Sequence, residues 1–214
     1  MKKHFLGVLA ILSFIFLCLI ITYGAEAKWA TEKEYISIPE ETTLIGDTIY
    51  FCVDRMDFER YRSIFLGYEK FNWKKAIVDL NTSGGSLFNA MGMVSLIQEQ
   101  QRKGKIIEIR GRGIIASAGL LILISGTPGC RFLDQNAMLM FHEMWSFKFF
   151  AVETPSDKED EAAIFRKIQD RINDFIVSHS KISKEELNTK IKKKEFWMTS
   201  EEGLKYGFAD RIIQ

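Results

Sequence analysis

The alternation of short β-rich runs with helix-length segments constrains this 214-residue chain most. Residues 48–53 (TIYFCV) are β-branched and aromatic, and a helical stretch follows near 57–68. Residues 76–80 (AIVDL) form a second strand, closed by Asn81-Thr82-Ser83-Gly84-Gly85. Leu87, Met91, Val94, Leu96 and Ile97 then recur with helical spacing to about Gln101. A third strand is expected over 105–110, followed by Gly111-Arg112-Gly113, and a buried helix over 116–124. Residues 131–133 and 137–141 read as two further short strands. A long charged helix follows at about 157–178, and a shorter one from Ser183. Ser200 reads as the N-cap of a last helix with Glu201 and Glu202 in its first turn. Strand, helix, strand, helix in series predicts parallel βαβ units and an α/β fold.

The amino end stands apart from that pattern. Lys2 and Lys3 precede an almost wholly apolar run from Phe5 to Tyr23, and Ala25-Glu26-Ala27 matches a small-x-small cleavage site. Residues 1–27 therefore read as a signal peptide or, if retained, an N-terminal membrane anchor, since 5–21 is about the shortest run that spans a bilayer. Either reading leaves 28–214 as one domain outside the cytoplasm, because the lysines stay inside. No small residues precede Cys18 in the way a lipoprotein needs. In an oxidising compartment Cys52 and Cys130 have two options, to pair or to remain two buried small hydrophobes, and the second is favoured.

Composition narrows the function classes. At 47% hydrophobic and 27% charged the chain is no disordered polymer, and Lys+Arg 29 against Asp+Glu 28 leaves no basic footprint for nucleic acid. His142 and His179 lack Cys or His partners at metal-ligand spacing. Gly84-Gly85 is not followed by the Lys-Ser/Thr of a phosphate-binding loop. No cofactor and no metal is expected. Residues 144–160 are the odd stretch: Met144, Trp145, Phe147, Phe149 and Phe150, then Pro155 and acidic residues, read as a protruding hairpin or loop. The lysines at 190 and 192–194 read as a solvated helix end.

Three elements carry chemistry. Gly84-Gly85 ends a strand before a helix, where glycines admit a substrate to the backbone and leave N–H groups unused. Ser117 sits among small residues in Gly113-Ile114-Ile115-Ala116-Ser117-Ala118-Gly119, either as a nucleophile with open space or as a small packing residue. His142 closes the 137–141 strand, either as a base for Ser117 or as a structural histidine. His4 lies in the leader, and His179 near the end of an amphipathic helix.

Taken in order, Asn81–Gly85, the Ala-Ser-Ala-Gly turn at Ser117, His142 and the closing segment 196–210 resemble the proteolytic subunit of Clp protease, over about residues 45–214. The resemblance implies a Clp/crotonase-like fold of repeated ββα units with a protruding handle. It implies a serine peptidase with Ser117 as nucleophile, His142 as general base, and an oxyanion hole of the Gly85 and Ala118 backbone N–H groups. It also implies a peptide or unfolded-protein substrate and a homo-oligomeric ring. Two positions depart from the family. Glu195 stands where the family usually has the third triad member, Asp. A one-residue shift would put Lys194 there, as in exported peptidases with a Ser-Lys pair, but His142 argues against a lysine base. Trp145, Phe147, Phe149 and Phe150 replace a glycine-rich handle strand. Such aromatics would form an apolar patch suited to a substrate groove, an oligomer contact or a membrane-facing edge.

An exported domain faces a compartment without ATP, so cleavage without an ATP-driven unfoldase is expected. The competing classes are a catalytically inactive subunit acting in binding or assembly and, more remotely, a crotonase-like acyl-thioester enzyme using only the oxyanion hole.

Overall fold

The structure is a computed structural model that describes residues 41–144 and 155–214. Residues 1–27, expected to be a signal peptide or anchor, and the aromatics Trp145, Phe147, Phe149 and Phe150 lie outside the described residues. Eight strands among those described join one sheet. A hairpin of β1 (Thr43–Ile45) and β2 (Thr48–Val53) leads through α1 (Phe58–Tyr68) and a short 3-10 turn to β3 (Lys75–Thr82). Next come α2 (Leu87–Arg102), β4 (Ile106–Ala116), α3 (Ala118–Ile124), β5 (Arg131–Asp134) and β6 (Met138–Phe141). The carboxy-terminal part runs α4 (Pro155–Ser178), α5 (Lys184–Ile191), β7 (Phe196–Thr199), α6 (Ser200–Lys205) and β8 (Arg211–Ile213).

Strands β2, β3, β4, β5 and β8 pair in parallel, as the alternating pattern requires. Ile49, Phe51 and Val53 of β2, Ala76, Val78 and Leu80 of β3, and Ile107 and Ile109 of β4 point into one core with helix residues Ile64, Ala90, Val94 and Ile97. That two-residue period against a helical period is what a sheet covered by helices demands. All seven residues of α3 are buried, which explains its lack of any polar side chain. In α4, Ile168, Ile172 and Ile176 recur every four residues toward the core. Asn173 is the buried polar member of that face, and it is hydrogen-bonded on both sides: Gln169 Nε2 donates to its Oδ1 at 2.8 Å, and its Nδ2 donates to Asn188 Oδ1 at 2.7 Å.

Three expectations are corrected. The third strand does not stop at Arg110 but continues through Gly111-Arg112-Gly113 to Ala116, so the helix begins at Ala118. The glycines mark a bulge: Leu80 faces Gly111 and Thr82 faces Ile115, leaving Arg112, Gly113 and Ile114 opposite Asn81 alone. The last helix is capped by Thr199, not Ser200, with a complete capping box to Glu202. Ser200 is fully buried and donates to the carbonyls of Asp134 and Ala137 at 2.7 and 2.9 Å. Cys52 and Cys130 are unpaired, as favoured, but Cys52 is exposed rather than buried. The outward-facing register of Cys52, between buried Phe51 and Val53, is the reason.

The last strand is clipped on by one carboxylate. Asp210 Oδ2 accepts from the amides of Gly129 and Arg131 at 2.8 and 3.0 Å, and the Arg131 guanidinium grips both its oxygens. Burial alone would push this carboxyl up, but those donors outweigh it and hold its pKa below the ordinary Asp value. Asp210 therefore contributes stability that is complete above the ordinary carboxylate range and lost as pH falls through its depressed folded-state pKa. Denaturant titrations of wild type and Asp210→Asn should show a wild-type advantage at pH 7 that narrows from about pH 4 downward. An advantage unchanged down to pH 2 would show that the clip does not depend on the charge.

Candidate active site

The bulge decides which strands meet. Before it, Ile109–Gly111 of β4 pair with β5; after it, Ile114, Ile115 and Ala116 pair with Met138, Leu139 and Met140 of β6. Asn81 holds the bulge: its Oδ1 accepts from Ile114 N at 3.1 Å and lies against Gly113, whose φ of 63° favours glycine. A Cβ at Gly113 would stand 2.9 Å from that oxygen.

Past the bulge the chain turns sharply. Ser117 has φ 53° and ψ −121°, a strained conformation for a residue with a side chain, costing about 1–3 kcal/mol. Its amide donates to Met140 O at 2.8 Å, tying the turn to β6. Its side chain makes no cap hydrogen bond to α3, so the hydroxyl is not spent on the helix. Ser117 is half-buried between buried Ala116 and Ala118. A strained strand-to-helix turn is the arrangement that lifts a serine hydroxyl clear of its own backbone.

The Gly84-Gly85 turn packs directly on this corner. A Cβ on Gly84, at φ 98°, would lie 2.8 Å from both Ala116 O and Ser117 Cβ and 3.3 Å from Ala118 N. Thr82 Oγ1 accepts from Gly84 N at 3.1 Å, and its methyl occupies the space that a Cβ on Gly119 would need, 2.6 Å away. The amides of Gly85 and Ala118 donate to no backbone carbonyl among the described residues. Ala118 opens α3, so its N–H has no intrahelical acceptor. The two amides expected to bind an oxyanion thus belong to chain segments in contact.

His142 follows β6 directly, and Glu195 precedes β7 directly. The strands are antiparallel, with Phe141 opposite Phe196 and Met140 opposite Trp197. Continuing that register puts His142 opposite Glu195, beside the corner where β4 ends at Ser117. A second tie closes the same gap: Glu143 Oε2 accepts from Lys193 N at 3.0 Å, where Lys193 turns with φ 56°. Met144 N donates to Gln169 Oε1 at 2.6 Å, joining the segment after His142 to the Gln169–Asn173–Asn188 ladder of α4 and α5. His142 Nδ1 lies 2.5 Å from the carbonyl oxygen of Glu143. Glu195 is exposed, and its one hydrogen bond among the described residues comes from Trp197 Nε1 to Oε2 at 2.8 Å.

Sequence reasoning quoted Asn81 and Thr82 only as part of the 81–85 motif, without the roles they play here, and missed Gln169, Asn173 and Asn188, which hold the segment after His142. The only signal was polarity at positions that helical or strand periodicity assigns inward, as at Thr82 and Asn173. The lysine run is not simply solvated: Lys190 lies over the Phe196 ring at 5.2 Å, while Lys192, Lys193 and Lys194 are exposed. His179 packs on Phe175 with ring centroids 4.1 Å apart, and its Nδ1 is 2.8 Å from Phe175 O. It borders a cavity of about 540 Å³ with Gln101, Arg131, Lys181 and Asp210, which includes none of Ser117, His142 and Glu195. Among the described residues no group of three or more His, Cys, Asp or Glu is arranged to hold a metal.

Comparison with known proteins agrees with this architecture. The chain belongs to the Clp protease family, a family of peptidases, which it matches over residues 52–214. The ATP-dependent Clp protease proteolytic subunit of Lactococcus lactis is 28% identical over 143 residues, covering 67% of this chain and 69% of the relative. The protein of the same name from Porphyromonas gingivalis is 28% identical over 142 residues, covering 66% of this chain but 60% of the relative. That of Streptococcus pyogenes is 27% identical over 143 residues, covering 67% and 70%.

The packing on Gly84 gives a direct test. Gly84→Ala combines a left-handed backbone with contact against backbone and Cβ atoms, and should cost about 2–4 kcal/mol. Gly104→Ala, at φ 80° with nothing within 4 Å, carries backbone strain alone and should cost about 1 kcal/mol. Urea midpoints compare the two, and equal losses would show that the 84–117 contact is slack.

Proposed function

We propose that this protein is a serine-type endopeptidase that cleaves peptides or unfolded proteins outside the cytoplasm, without an ATP-driven unfoldase. The observation that supports the reading is the pairing of β6 with both β4 and β7 at the ends that lead to Ser117, His142 and Glu195, next to the amides of Gly85 and Ala118, which donate to no backbone carbonyl among the described residues.

The chemistry follows from those roles. Ser117 Oγ attacks the scissile carbonyl carbon while His142 takes its proton, and the Gly85 and Ala118 N–H groups bind the oxyanion. Collapse breaks the C–N bond, the amine leaves with the proton from His142, and an ester on Oγ remains. Water, losing a proton to His142, attacks that ester; the C–Oγ bond breaks, His142 returns the proton to Ser117 Oγ, and the carboxylic acid is released. A hydrogen bond from His142 Nδ1 to the Glu143 carbonyl keeps the proton on that nitrogen and leaves Nε2 basic. Glu195 would add negative charge beside the imidazolium. The relatives' family supports a ring of identical subunits, and the run at 5–21 supports export or anchoring. Among the described residues no helix is long and apolar enough to cross a membrane, and 5–21 lies outside them.

A second reading, a catalytically inactive subunit acting in binding or assembly, is favoured by one observation: Glu195, at the position expected for the third triad member, is exposed. A fluorophosphonate probe separates the two. Attack by Ser117 Oγ forms the O–P bond, expels fluoride and passes the hydroxyl proton to His142. Wild type should label, Ser117→Ala should not, and His142→Ala should slow labelling by at least about a thousandfold. Glu195→Ala should slow it by about ten- to a hundredfold. A folded wild type that never labels would establish the inactive subunit instead.

For the leader, expression of the full chain in an exporting bacterium should yield either a mature protein beginning at Lys28 or a membrane-bound protein retaining Met1. Intact mass and fractionation read this directly. A soluble cytoplasmic protein that retains Met1 would overturn the proposed location.

A further inference from the structure

The geometry points to Trp197 as a positioning residue for Glu195, its indole N–H fixing one carboxylate oxygen so that the other is presented toward His142. The inference rests on the serine-peptidase reading and adds a residue to it.

Glu195 is exposed and lies just ahead of β7. A glutamate has three side-chain torsions, so left alone it would sample many positions across the strand end. Trp197 is two residues on, and the two-residue period of a strand puts both on one face of β7. Its indole Nε1 donates to Glu195 Oε2 at 2.8 Å. A carboxylate accepts at both oxygens, so this bond spends Oε2 and leaves Oε1 open. The same face of β6 carries Met140, opposite Trp197, and then His142, opposite Glu195 when the register is continued.

The histidine has its own resting partner. Nδ1 lies 2.5 Å from the Glu143 carbonyl, a neutral acceptor that selects the tautomer. When His142 takes the serine proton it becomes a cation, and a fixed carboxylate stabilises a cation far better than a carbonyl does. Trp197 would serve at that step by holding the carboxylate in place before the charge appears.

Trp197 is itself 46% exposed and has exposed apolar neighbours in Ile114 and Met138, at 44% and 38%. A role as an apolar platform for substrate would therefore show in probe affinity, whereas a positioning role shows in the chemical step. The test measures fluorophosphonate labelling over a range of probe concentrations, giving a maximal rate and a half-saturating concentration. Trp197→Phe keeps the ring and loses the donor, and should lower the maximal rate about tenfold with half-saturation unchanged. Trp197→Gln keeps a donor at similar reach without the ring, and should recover to within about threefold of wild type. In a Glu195→Ala background, Trp197→Phe should cause no further loss.

Several outcomes overturn the inference: a full-sized Trp197→Phe effect in the Glu195→Ala background, an effect confined to half-saturation, a Gln variant no better than Phe, or Trp197→Phe equal to wild type. A wild type that fails to label removes the serine chemistry and this role with it. A wild type that labels, with Trp197→Phe unaffected, removes only the role of Trp197. Thermal unfolding of each variant separates loss of fold from loss of rate.

Discussion

Strand β4 serves two parallel partners in succession, and the bulge at Arg112-Gly113-Ile114 lies where it passes from one to the other. Without the extra residues, Ile114–Ala116 would stay in register with β5, and Ser117 would emerge far from the end of β6. Asn81 pins the bulge by replacing a lost backbone acceptor with its own side-chain oxygen. Everything later at the site inherits its position from this one irregularity: the Ser117 turn, its hydrogen bond to Met140, and the seat of the Gly84 turn.

Strain and support sit side by side there. Ser117 holds a costly backbone conformation, and such a conformation persists only when its surroundings over-determine it. Those surroundings are the Met140 carbonyl on one side, the Cβ-less Gly84 on another, and a short α3 whose every residue is buried. The histidine side is built differently. Its support is polar and runs through side chains, from Met144 N to Gln169, Asn173 and Asn188 in one direction and from Glu143 to Lys193 in the other. A rigid apolar corner thus carries the proposed nucleophile, and a hydrogen-bonded segment carries the proposed base.

The carboxylate is the least buttressed of the three groups. Glu195 is exposed and held by a single bond from a residue on its own strand. An exposed carboxylate is weakly constrained, and its field is screened by water. The Ser117 turn is thus held by several independent contacts, whereas the Glu195 side chain has the single bond from Trp197.

The α/β class and its parallel βαβ units were legible in the chain, because period-two and period-3.6 patterns are local properties, and Gly84-Gly85, Ser117 and His142 stood out at turns and a strand end, whereas Ala118 and Glu195 became candidates only through the resemblance to the Clp family. The apolar run predicted a buried helix ending at Ile124 for the same reason, but its start lies at Ala118 and not at Ala116. Local pattern failed where a residue's meaning depends on a distant partner. Gly113 looks like the end of a strand until Asn81, in the neighbouring strand β3, is seen holding it in a bulge. Ser200 looks like a cap until the carbonyls of Asp134 and Ala137 claim its hydroxyl. The meeting of β4, β6 and β7 at one corner could come only from tertiary structure, because strand pairing is set by long-range register and packing that no short window of sequence contains.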